Sequence, residues 1–575
     1  MAKTGGAQGS DRTGTDYAWI KSYPAGVDWH MPFEAAPLFD LIDDAVARSG
    51  DRPCTTFLGR TLTYGEIGAL VDQAAAGLQQ LGVVKGTKVG LLLPNTPTFI
   101  VYYFAILKAG GVVVNYNPLY SPDELSFQVK DSETELMVTL DLKVLFDKVE
   151  RLLADKVLKG AVVCSFPNLL PAAKAVLFKL FKSKELARPR TSPVRDRIRL
   201  ESEAAADPAL FEPVAIDPEA DVAVLQYTGG TTGTPKGAML THANVAINVQ
   251  QIAAWAPDLA YGKERSLAAL PFFHVFAMTV VMNLGVKYAA ELHLLPRFVL
   301  GDALEIISKH RLTVLAGVPT LFNAMLNHPQ IKSYDLTSLK FCLSGGAALP
   351  IEVKERFDAA TGCSLVEGYG LSEASPVATC NPLNAPPRRG SIGLPLPGTI
   401  LSLRDLTDPL SEVAHGERGE ICIAGPQVMT GYWNKLAETA AQFAGPYLRT
   451  GDVGVMDDDG YFYIVDRIKD LIICSGYNVY PRRIEEALYE HAAVEEVIVI
   501  GIADKYRGEA PKAFVKLREG AAATREALLA HLETKISKLE MPAEIEFRDK
   551  LPKTMIGKLS KKELKAEEMQ KKRGS

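Results

Sequence analysis

The stretch VAVLQYTGGTTGTPKGAML, residues 222–240, joins a short apolar run to a loop rich in glycine and threonine. The run 222–225 has the composition of a buried strand. Residues 227–237 then hold four glycines, four threonines and one lysine. Glycines allow backbone N–H groups to approach a phosphate closely, and hydroxyls and a cation add to its binding. The stretch therefore predicts a strand followed by a phosphate-binding loop.

The loop differs from the common nucleotide-binding loop, which has glycine before its lysine and serine or threonine after it. Here Pro235 precedes Lys236 and Gly237 follows it. We therefore expect the lysine to stand in a different local geometry. The alternative, a flexible surface turn, explains the glycines but not the density of hydroxyl groups beside a buried strand.

The same habit, an apolar run followed by glycine, proline or a turn, recurs on both sides of this stretch. Continuous apolar runs alternating with helical patterns are typical of parallel strands covered on both faces. Ligands of such sheets collect at the carboxyl ends of the strands, so we expect the glycine-rich segments to converge there. The runs are KVGLLLPNT (88–96), GVVVNYNP (111–118), LTVLAGVP (312–319), LKFCLSGG (339–346) and CSLVEGYG (363–370).

The pattern changes near residue 400 and again near residue 468. Shorter alternating strands, ILSLRDL (400–406), GEICIAG (419–425) and YFYIVDR (461–467), predict a small β-rich subdomain. Helix and strand patterns follow, enough for a compact unit of about 100 residues. We predict an α/β protein with three parts: a tail and lead-in at 1–34, a large domain of parallel-type sheets and helices at 35–468, and a small mobile α+β domain at 469–575.

Composition limits the possible partners and locations. The chain has 575 residues, 47% of them hydrophobic, and a formal net charge of −5, which argues against nucleic acid as the main partner. Its seven cysteines are scattered with no CxxC pair, which favours a reducing compartment and argues against a zinc site. No apolar run reaches the ~20 residues of a membrane span. We therefore expect a cytoplasmic protein.

The glycine-rich loop and the segments after it resemble the signatures of the acyl-adenylate-forming superfamily, which contains acyl-CoA synthetases, luciferases and peptide-synthetase adenylation domains. The resemblance covers roughly residues 35–565 and is greatest to bacterial long-chain fatty acyl-CoA synthetases. The motifs occur in the family's order: YTGGTTGTPKGAML (227–240), PFFHVFAM (271–278), GVPT (317–320), SGGAALP (344–350), VEGYGLSEAS (366–375), GSIGLPLPG (390–398), YLRTGDVG (447–454), IVDRIKDLIICSGYNVYP (464–481) and LPKTMIGKLSKKEL (551–564).

The resemblance implies ATP-dependent activation of a fatty acid to acyl-AMP and transfer of the acyl group to coenzyme A, with Mg²⁺ as cofactor. The alternatives are a medium-chain or aryl acid ligase, an adenylation module that loads a carrier protein, an inactive lipid-binding scaffold, and a phosphotransferase that would release ADP. Some members carry a tryptophan gate four residues after the motif histidine, where this chain has Met278. The resemblance therefore does not imply a tryptophan-gated step for this chain.

The resemblance assigns the nucleotide site residue by residue. Thr232 and Glu373 would hold Mg²⁺, Tyr369 would stack on adenine, and Asp452 would accept the ribose hydroxyls, with Arg467 contacting ribose or phosphate. The non-functional alternatives are a core tyrosine at position 369 and ordinary solvent-exposed charges at Glu373, Asp452 and Arg467. The full ATP- and AMP-binding set is Thr228, Gly229, Gly230, Thr231, Thr232, Gly233, Thr234, Lys236, Gly345, Gly346, Ala347, Gly368, Tyr369, Gly370, Ser372, Asp452, Arg467 and Lys558.

Two catalytic residues and two coenzyme A residues complete the assignment. The resemblance implies that Lys558 reaches the substrate carboxylate and the α-phosphate, and that His274 lies beside the acyl carboxylate. The alternatives are a solvated lysine-rich helix and a core histidine. Lys469 would stand at the hinge of the small domain, and Gly476 would lie beside the coenzyme A arm.

Residues 169–190, LLPAAKAVLFKLFKSKELARPR, predict a basic amphipathic helix. Apolar residues fall on one face at helical spacing, and six basic residues stand against Glu185 alone in 171–190. Such a helix suits the surface of an anionic membrane, so one expectation is peripheral contact there. The alternative is a helix docked on the core with a solvated face. The apolar residues are Leu169, Leu170, Ala173, Val176, Leu177 and Leu180, and Lys174, Lys179 and Lys182 lie on the other face.

Overall fold

Three β-sheets organise the described part of the chain in the computed structural model. The structure describes residues 17–228, 235–383, 386, 388–475, 477–504, 506–554 and 557–574. In chain order the strands are β1 Pro53–Phe57, β2 Arg60–Thr63, β3 Lys88–Leu91, β4 Val112–Asn115, β5 Leu136–Leu140, β6 Gly160–Cys164, β7 Ile198–Leu200, β8 Val222–Thr228, β9 Lys236–Thr241, β10 Arg265–Ala268, β11 Glu291–Leu294, β12 Val314–Gly317, β13 Phe341–Gly345, β14 Leu365–Gly370, β15 Val377–Cys380, β16 Ser391–Pro395, β17 Ile400–Arg404, β18 Gly419–Ala424, β19 Gly431–Tyr432, β20 Phe443–Ala444, β21 Tyr447–Met456, β22 Phe462–Arg467, β23 Ile472–Cys474, β24 Tyr477–Val479, β25 Val494–Asp504, β26 Gly508–Leu517 and β27 Glu544–Phe547.

Helices cover the sheets and connect their strands. In chain order the α-helices are α1 Asp40–Ser49, α2 Tyr64–Gln80, α3 Pro97–Lys108, α4 Pro122–Ser132, α5 Lys143–Ala154, α6 Ala172–Phe181, α7 Glu201–Ala204, α8 His242–Trp255, α9 Leu284–Lys287, α10 Leu300–His310, α11 Pro319–Leu326, α12 Ile351–Thr361, α13 Leu436–Gln442, α14 Pro481–Tyr489, α15 Arg525–Glu533 and α16 Lys561–Gly574. A π-helical segment, Ala277–Asn283, precedes α9. Capping boxes begin α2, α4 and α8, each with serine or threonine at the N-cap. Removing such a cap typically costs about 1 kcal/mol.

The largest sheet has a parallel centre and an antiparallel flank. Strands β1, β11, β10, β12, β13 and β14 pair in parallel in that order. Beyond β14 the pairing turns antiparallel through β15, β16, β22, β21, β18 and β17. The segments after β12, β13 and β14 therefore leave the same edge of the sheet.

The second sheet holds the strand that opens the glycine-rich stretch. Strands β8, β4, β3, β5, β6 and β7 are parallel, and β9 and β19 extend the sheet antiparallel beyond β8. Helix α3 is buried along almost its whole length, from Pro97 to Leu107. A helix that is buried on all its faces belongs in a core between layers, not on a surface. The predicted parallel strands with helical cover are thus confirmed.

The third sheet is smaller and mainly antiparallel. Strands β24, β23, β26 and β25 pair antiparallel, and β27 joins β26 in parallel. Helices α14 and α15 supply Ile484, Leu488, Leu528 and Leu532 to its own hydrophobic core. Strand β22 belongs to the first sheet and β23 to the third, and the short helix Ile468–Asp470 connects them. The predicted α/β class with a small α+β unit is confirmed.

Helix α6 lies on the surface and has no buried residue. Ala175 and Phe178 pack against the main core, and the Phe178 ring lies 5.0 Å from the Phe166 ring. Leu170, which the sequence placed on the apolar face of this helix, precedes it and is buried. Among the described residues, no helix combines the length and apolar character needed to cross a membrane.

Candidate active site

The predicted phosphate loop joins two paired strands. Thr228 ends β8 and pairs with Lys236, which begins the antiparallel β9. The lysine therefore stands on a strand and does not open a helix, as the flanking Pro235 and Gly237 indicate. The remaining loop residues assigned to ATP, Gly229, Gly230, Thr231, Thr232, Gly233 and Thr234, lie outside the described residues.

Glu373 is a buried carboxylate beside this hairpin. It lies in the short helix Ser372–Ala374 that follows β14, and its side chain accepts a hydrogen bond of 2.8 Å from the Tyr432 hydroxyl at Oε1. The ammonium of Lys236 lies 5.1 Å from the centroid of the same tyrosine ring. Burial raises the pKa of Glu373 above its usual value.

The setting of Glu373 fits a divalent cation. A carboxylate that burial makes costly to ionise gains stability from a nearby positive charge. Carboxylate and hydroxyl oxygens are the ligands that Mg²⁺ prefers, usually with water and substrate phosphates. Glu373 meets this requirement, whereas the other predicted ligand, Thr232, lies outside the described residues.

Tyr369, Asp452 and Arg467 form a connected group across three strands of the large sheet. The Tyr369 hydroxyl donates to Asp452 Oδ2 at 2.8 Å, and Arg467 Nε contacts Asp452 Oδ1 at 2.8 Å. Asp452 on β21 pairs directly with Arg467 on β22. Burial, and then the Asp452 charge, raise the pKa of the Tyr369 hydroxyl. Tyr369 is thus held in place by its hydroxyl, and ribose binding by Asp452 stays a prediction.

The small residues predicted around adenine lie at the carboxyl ends of β13 and β14. Gly345 and Gly368 are directly paired in these neighbouring strands. Gly346 has φ +81°, a conformation that favours glycine. A Cβ atom on Gly346 would lie 2.7 Å from Lys558 Nζ, so a larger residue there would displace the end of the lysine. Gly346 and Ala347 are exposed, and Gly370 and Ser372 continue from β14 toward Glu373.

The charge of Lys558 acts on His274 in this region although 284 residues separate them in the sequence. Burial, with the Arg467 charge as the next cause, lowers the pKa of Lys558 to about 8. Burial and then the Lys558 charge lower the pKa of His274 to about 3. His274 Nδ1 accepts a hydrogen bond of 3.3 Å from the Phe276 backbone N–H. The histidine is therefore neutral at pH 7, while Lys558 remains mostly charged.

Of the two residues predicted for the hinge and for coenzyme A, the structure describes only the hinge residue, Lys469. Lys469 lies in the connecting helix Ile468–Asp470 and is exposed. Its neighbour Asp470 contacts Lys565 of α16 at 2.8 Å. Gly476 lies outside the described residues. Met278 is fully buried at the π-helical segment, where Asn115 Nδ2 donates to its sulfur at 3.4 Å.

Two residues of this region were not predicted from the sequence. Tyr432, which bonds Glu373, comes from β19, which pairs with β9. Thr320, in the quoted GVPT motif, donates a hydrogen bond of 2.7 Å from Oγ1 to the Gly557 carbonyl beside Lys558. The GVPT motif was a signal without an assigned role, whereas nothing in the sequence distinguished Tyr432 from other strand tyrosines.

Comparison with protein-family models finds matches over most of the chain. The family model described as AMP-binding enzyme matches residues 42–433. The family model described as AMP-binding enzyme C-terminal domain matches residues 483–558. The chain belongs to this family, within the adenylate-forming superfamily.

Relatives of similar length indicate the branch of the family. A long-chain-fatty-acid–CoA ligase of Bacillus subtilis is 43% identical over 553 residues, covering 96% of this chain and 98% of the relative. One of Yersinia pestis is 38% identical, with the same two coverages. A feruloyl-CoA synthase of Amycolatopsis is 35% identical and covers 88% of this chain and 94% of the relative.

Crystal structures agree with the fold over almost the whole chain. ATP-bound MatB from Rhodopseudomonas palustris superposes with a TM-score of 0.79 at 28% identity, covering 93% of this chain and 99% of MatB. A benzoate CoA ligase from Burkholderia xenovorans superposes with a TM-score of 0.76 at 25% identity, covering 92% and 99%.

Proposed function

We propose that this chain is an acid–thiol ligase that joins a long-chain fatty acid to coenzyme A at the expense of ATP. A carboxylate is a poor electrophile because its charge is delocalised. In the first step its oxygen attacks the α-phosphorus of ATP, and the bond to pyrophosphate breaks. In the second step the coenzyme A thiol attacks the acyl carbon of acyl-AMP, AMP leaves, and the thiol proton is released.

One observation supports this assignment above the others: Lys558 lies against Gly346, beside the Tyr369–Asp452 pair. The first step brings the carboxylate and the triphosphate together, so the site must supply positive charge away from bulk water. Lys558 provides that charge from the last part of the chain. His274, whose pKa is lowered by burial and then by the Lys558 charge, is neutral and adds no second positive charge there. We infer that Lys558 contacts the carboxylate and the α-phosphate.

The remaining roles follow from position. Thr232 and Glu373 would hold Mg²⁺, which neutralises phosphate charge when bound. Tyr369, with its hydroxyl fixed by Asp452, offers a flat ring to adenine, and Gly345 would bring backbone close to the base edge. The predicted loop at 228–234 with Lys236 would bind the outer phosphates that leave as pyrophosphate.

The proposed domain division places the hinge at Lys469. Residues 35–468 would bind ATP and the fatty acid, and 469–575 would move between the two steps. The β23–β24 hairpin, with Ile473 and Tyr477 exposed, would then approach the coenzyme A arm, close to Gly476.

A substrate panel tests the assignment. We expect acyl-CoA and equimolar AMP from long-chain saturated acids, with smaller kcat/KM for medium-chain and aryl acids. Product analysis by chromatography measures both products. Higher kcat/KM for aryl acids would favour the alternative of an aryl acid–CoA ligase, the kind of enzyme that the name of the feruloyl-CoA synthase relative indicates. Release of ADP would contradict adenylation altogether.

We further propose that helix α6 rests on an anionic lipid surface, where long-chain fatty acids concentrate. The helix docks through Ala175 and Phe178 and turns four large apolar side chains toward solvent: Val176, Leu177, Leu180 and Phe181, which are 53–79% exposed. The helix and the segment directly after it also carry six basic residues, Lys174, Lys179, Lys182, Lys184, Arg188 and Arg190. This combination is typical of helices that lie in a headgroup layer.

Replacing Leu177 and Leu180 together with serine should weaken sedimentation with phosphatidylglycerol vesicles at least about tenfold, because each buried leucine contributes roughly 1.5–3 kcal/mol. Vesicle pelleting measures the bound fraction. Leu436→Ser is the control, since Leu436 on α13 is also exposed, at 87%. Unchanged pelleting of the double variant would contradict membrane contact through α6.

A further inference from the structure

Thr320 connects the large sheet to the turn that carries Lys558. It follows β12, near the start of α11, at the carboxyl edge of the parallel strands. Its hydroxyl Oγ1 donates to the carbonyl of Gly557 at 2.7 Å. The two residues are 237 positions apart in the sequence. A single side-chain hydrogen bond thus reaches the backbone next to the predicted catalytic lysine.

The turn itself is tied closely by Thr554. The Gly557 N–H donates to the Thr554 carbonyl at 2.8 Å, and the Lys558 N–H donates to Thr554 Oγ1 at 3.1 Å. Thr554 N–H in turn donates to the Lys558 carbonyl at 2.6 Å. Because the turn is internally bonded, fixing the Gly557 carbonyl also fixes where the Lys558 side chain starts.

The turn at Gly557 has a backbone conformation that favours glycine and lies close to Thr320 and Val318. Gly557 has φ +82°, and a Cβ atom there would lie 3.2 Å from Thr320 Oγ1 and 3.4 Å from Val318 Cγ2. The lysine side chain then reaches Gly346, which follows β13, the direct neighbour of β12. The segment after β12 therefore contacts the backbone of the turn, and the segment after the neighbouring β13 contacts the end of the lysine side chain.

We propose that Thr320 is a positioning residue for Lys558 during acyl-adenylate formation. This inference rests on the proposed role of Lys558. Thr320 holds the turn so that the ammonium lies over Gly346, and it contributes nothing to the thioester step. Its loss lets the turn depart from the sheet, so a smaller fraction of molecules carries the lysine in place when ATP and the fatty acid are bound.

Thr320→Val tests this, because valine keeps the shape and removes the donor. We expect kcat for fatty-acid-dependent pyrophosphate–ATP exchange to fall roughly threefold to tenfold, the usual net effect of one hydrogen bond. KM for ATP should stay within about twofold. Thioester formation from supplied acyl-adenylate and coenzyme A should be unchanged, and Thr320→Ser should restore exchange.

Controls separate this role from general stability and from failure of the proposed function. Thr534→Val removes a hydroxyl that donates to the His531 carbonyl at 3.0 Å, away from Lys558, and should leave exchange unchanged. Full exchange in Thr320→Val, or equal loss in both half-reactions with a lowered Tm, would overturn the positioning role. The proposed role of Lys558 would still stand if Lys558→Ala strongly lowered exchange. Full exchange in Lys558→Ala would overturn the proposed role of the lysine and the inference together.

Discussion

Lys558→Ala should lower fatty-acid-dependent pyrophosphate–ATP exchange by about 10²–10³-fold, the usual cost of removing one charged or hydrogen-bonding group from a developing transition state. The ammonium lies beside Gly346, in the same group of residues as Arg467 and Asp452. Thioester formation from supplied acyl-adenylate should change little, because the anhydride is already formed. Rapid-quench assays of the two half-reactions measure the difference.

Lys562→Ala is the matched control for this variant. Lys562 is exposed near the start of α16, four residues beyond Lys558, and should be replaceable without loss of exchange.

The pH profile gives a second check. Because burial lowers the pKa of Lys558 to about 8, the charged form is lost as pH rises through that value. The wild-type kcat/KM for exchange should therefore fall above pH about 8, whereas the residual activity of Lys558→Ala should lack this step. Equal exchange in wild type and Lys558→Ala would refute the role of the lysine.

Glu373→Gln should lower adenylation about 10²-fold and raise the Mg²⁺ concentration needed for half-maximal rate. Burial already raises the pKa of Glu373, so its charge requires a compensating cation. The amide keeps an oxygen near the Tyr432 hydroxyl but removes the negative charge that attracts the metal. Initial rates of acyl-AMP formation over a Mg²⁺ titration measure both effects.

Glu367→Gln is a demanding control, since Glu367 is also a buried carboxylate on β14. Burial raises its pKa to about 7, and it accepts a hydrogen bond of 3.2 Å from the Leu349 backbone N–H. We expect this variant to keep the wild-type Mg²⁺ dependence. If both variants shifted it equally, the effect would reflect loss of a buried carboxylate in general and Glu373 would not be a metal ligand.

The sheet architecture was predictable because it depends on local patterns. Apolar runs such as 222–225 and 314–316, each followed by glycine or proline, indicated buried parallel strands, and the structure has β8 and β12 there. The change of pattern near residue 400 corresponds to β17, although the antiparallel flank of the first sheet already begins at β15. Parallel strands impose a common edge, so the convergence of the segments after β12, β13 and β14 followed from the same reasoning.

The connections within the site were not predictable, because they join distant parts of the chain. Tyr432 bonds Glu373 across 59 residues, and Tyr369 bonds Asp452 across 83 residues. Side-chain partners of this kind depend on strand order, which periodicity does not encode. The amphipathic pattern predicted a helix over 169–190, but α6 spans only Ala172–Phe181. A turn before α6 directs Leu170, which was placed on the apolar face, into the core.

Isotope exchange between labelled pyrophosphate and ATP, measured without coenzyme A, tests the central claim most directly. The account predicts exchange that requires both a long-chain fatty acid and Mg²⁺, and that nearly disappears in Lys558→Ala. No exchange with any organic acid, or exchange independent of the acid, would contradict the account.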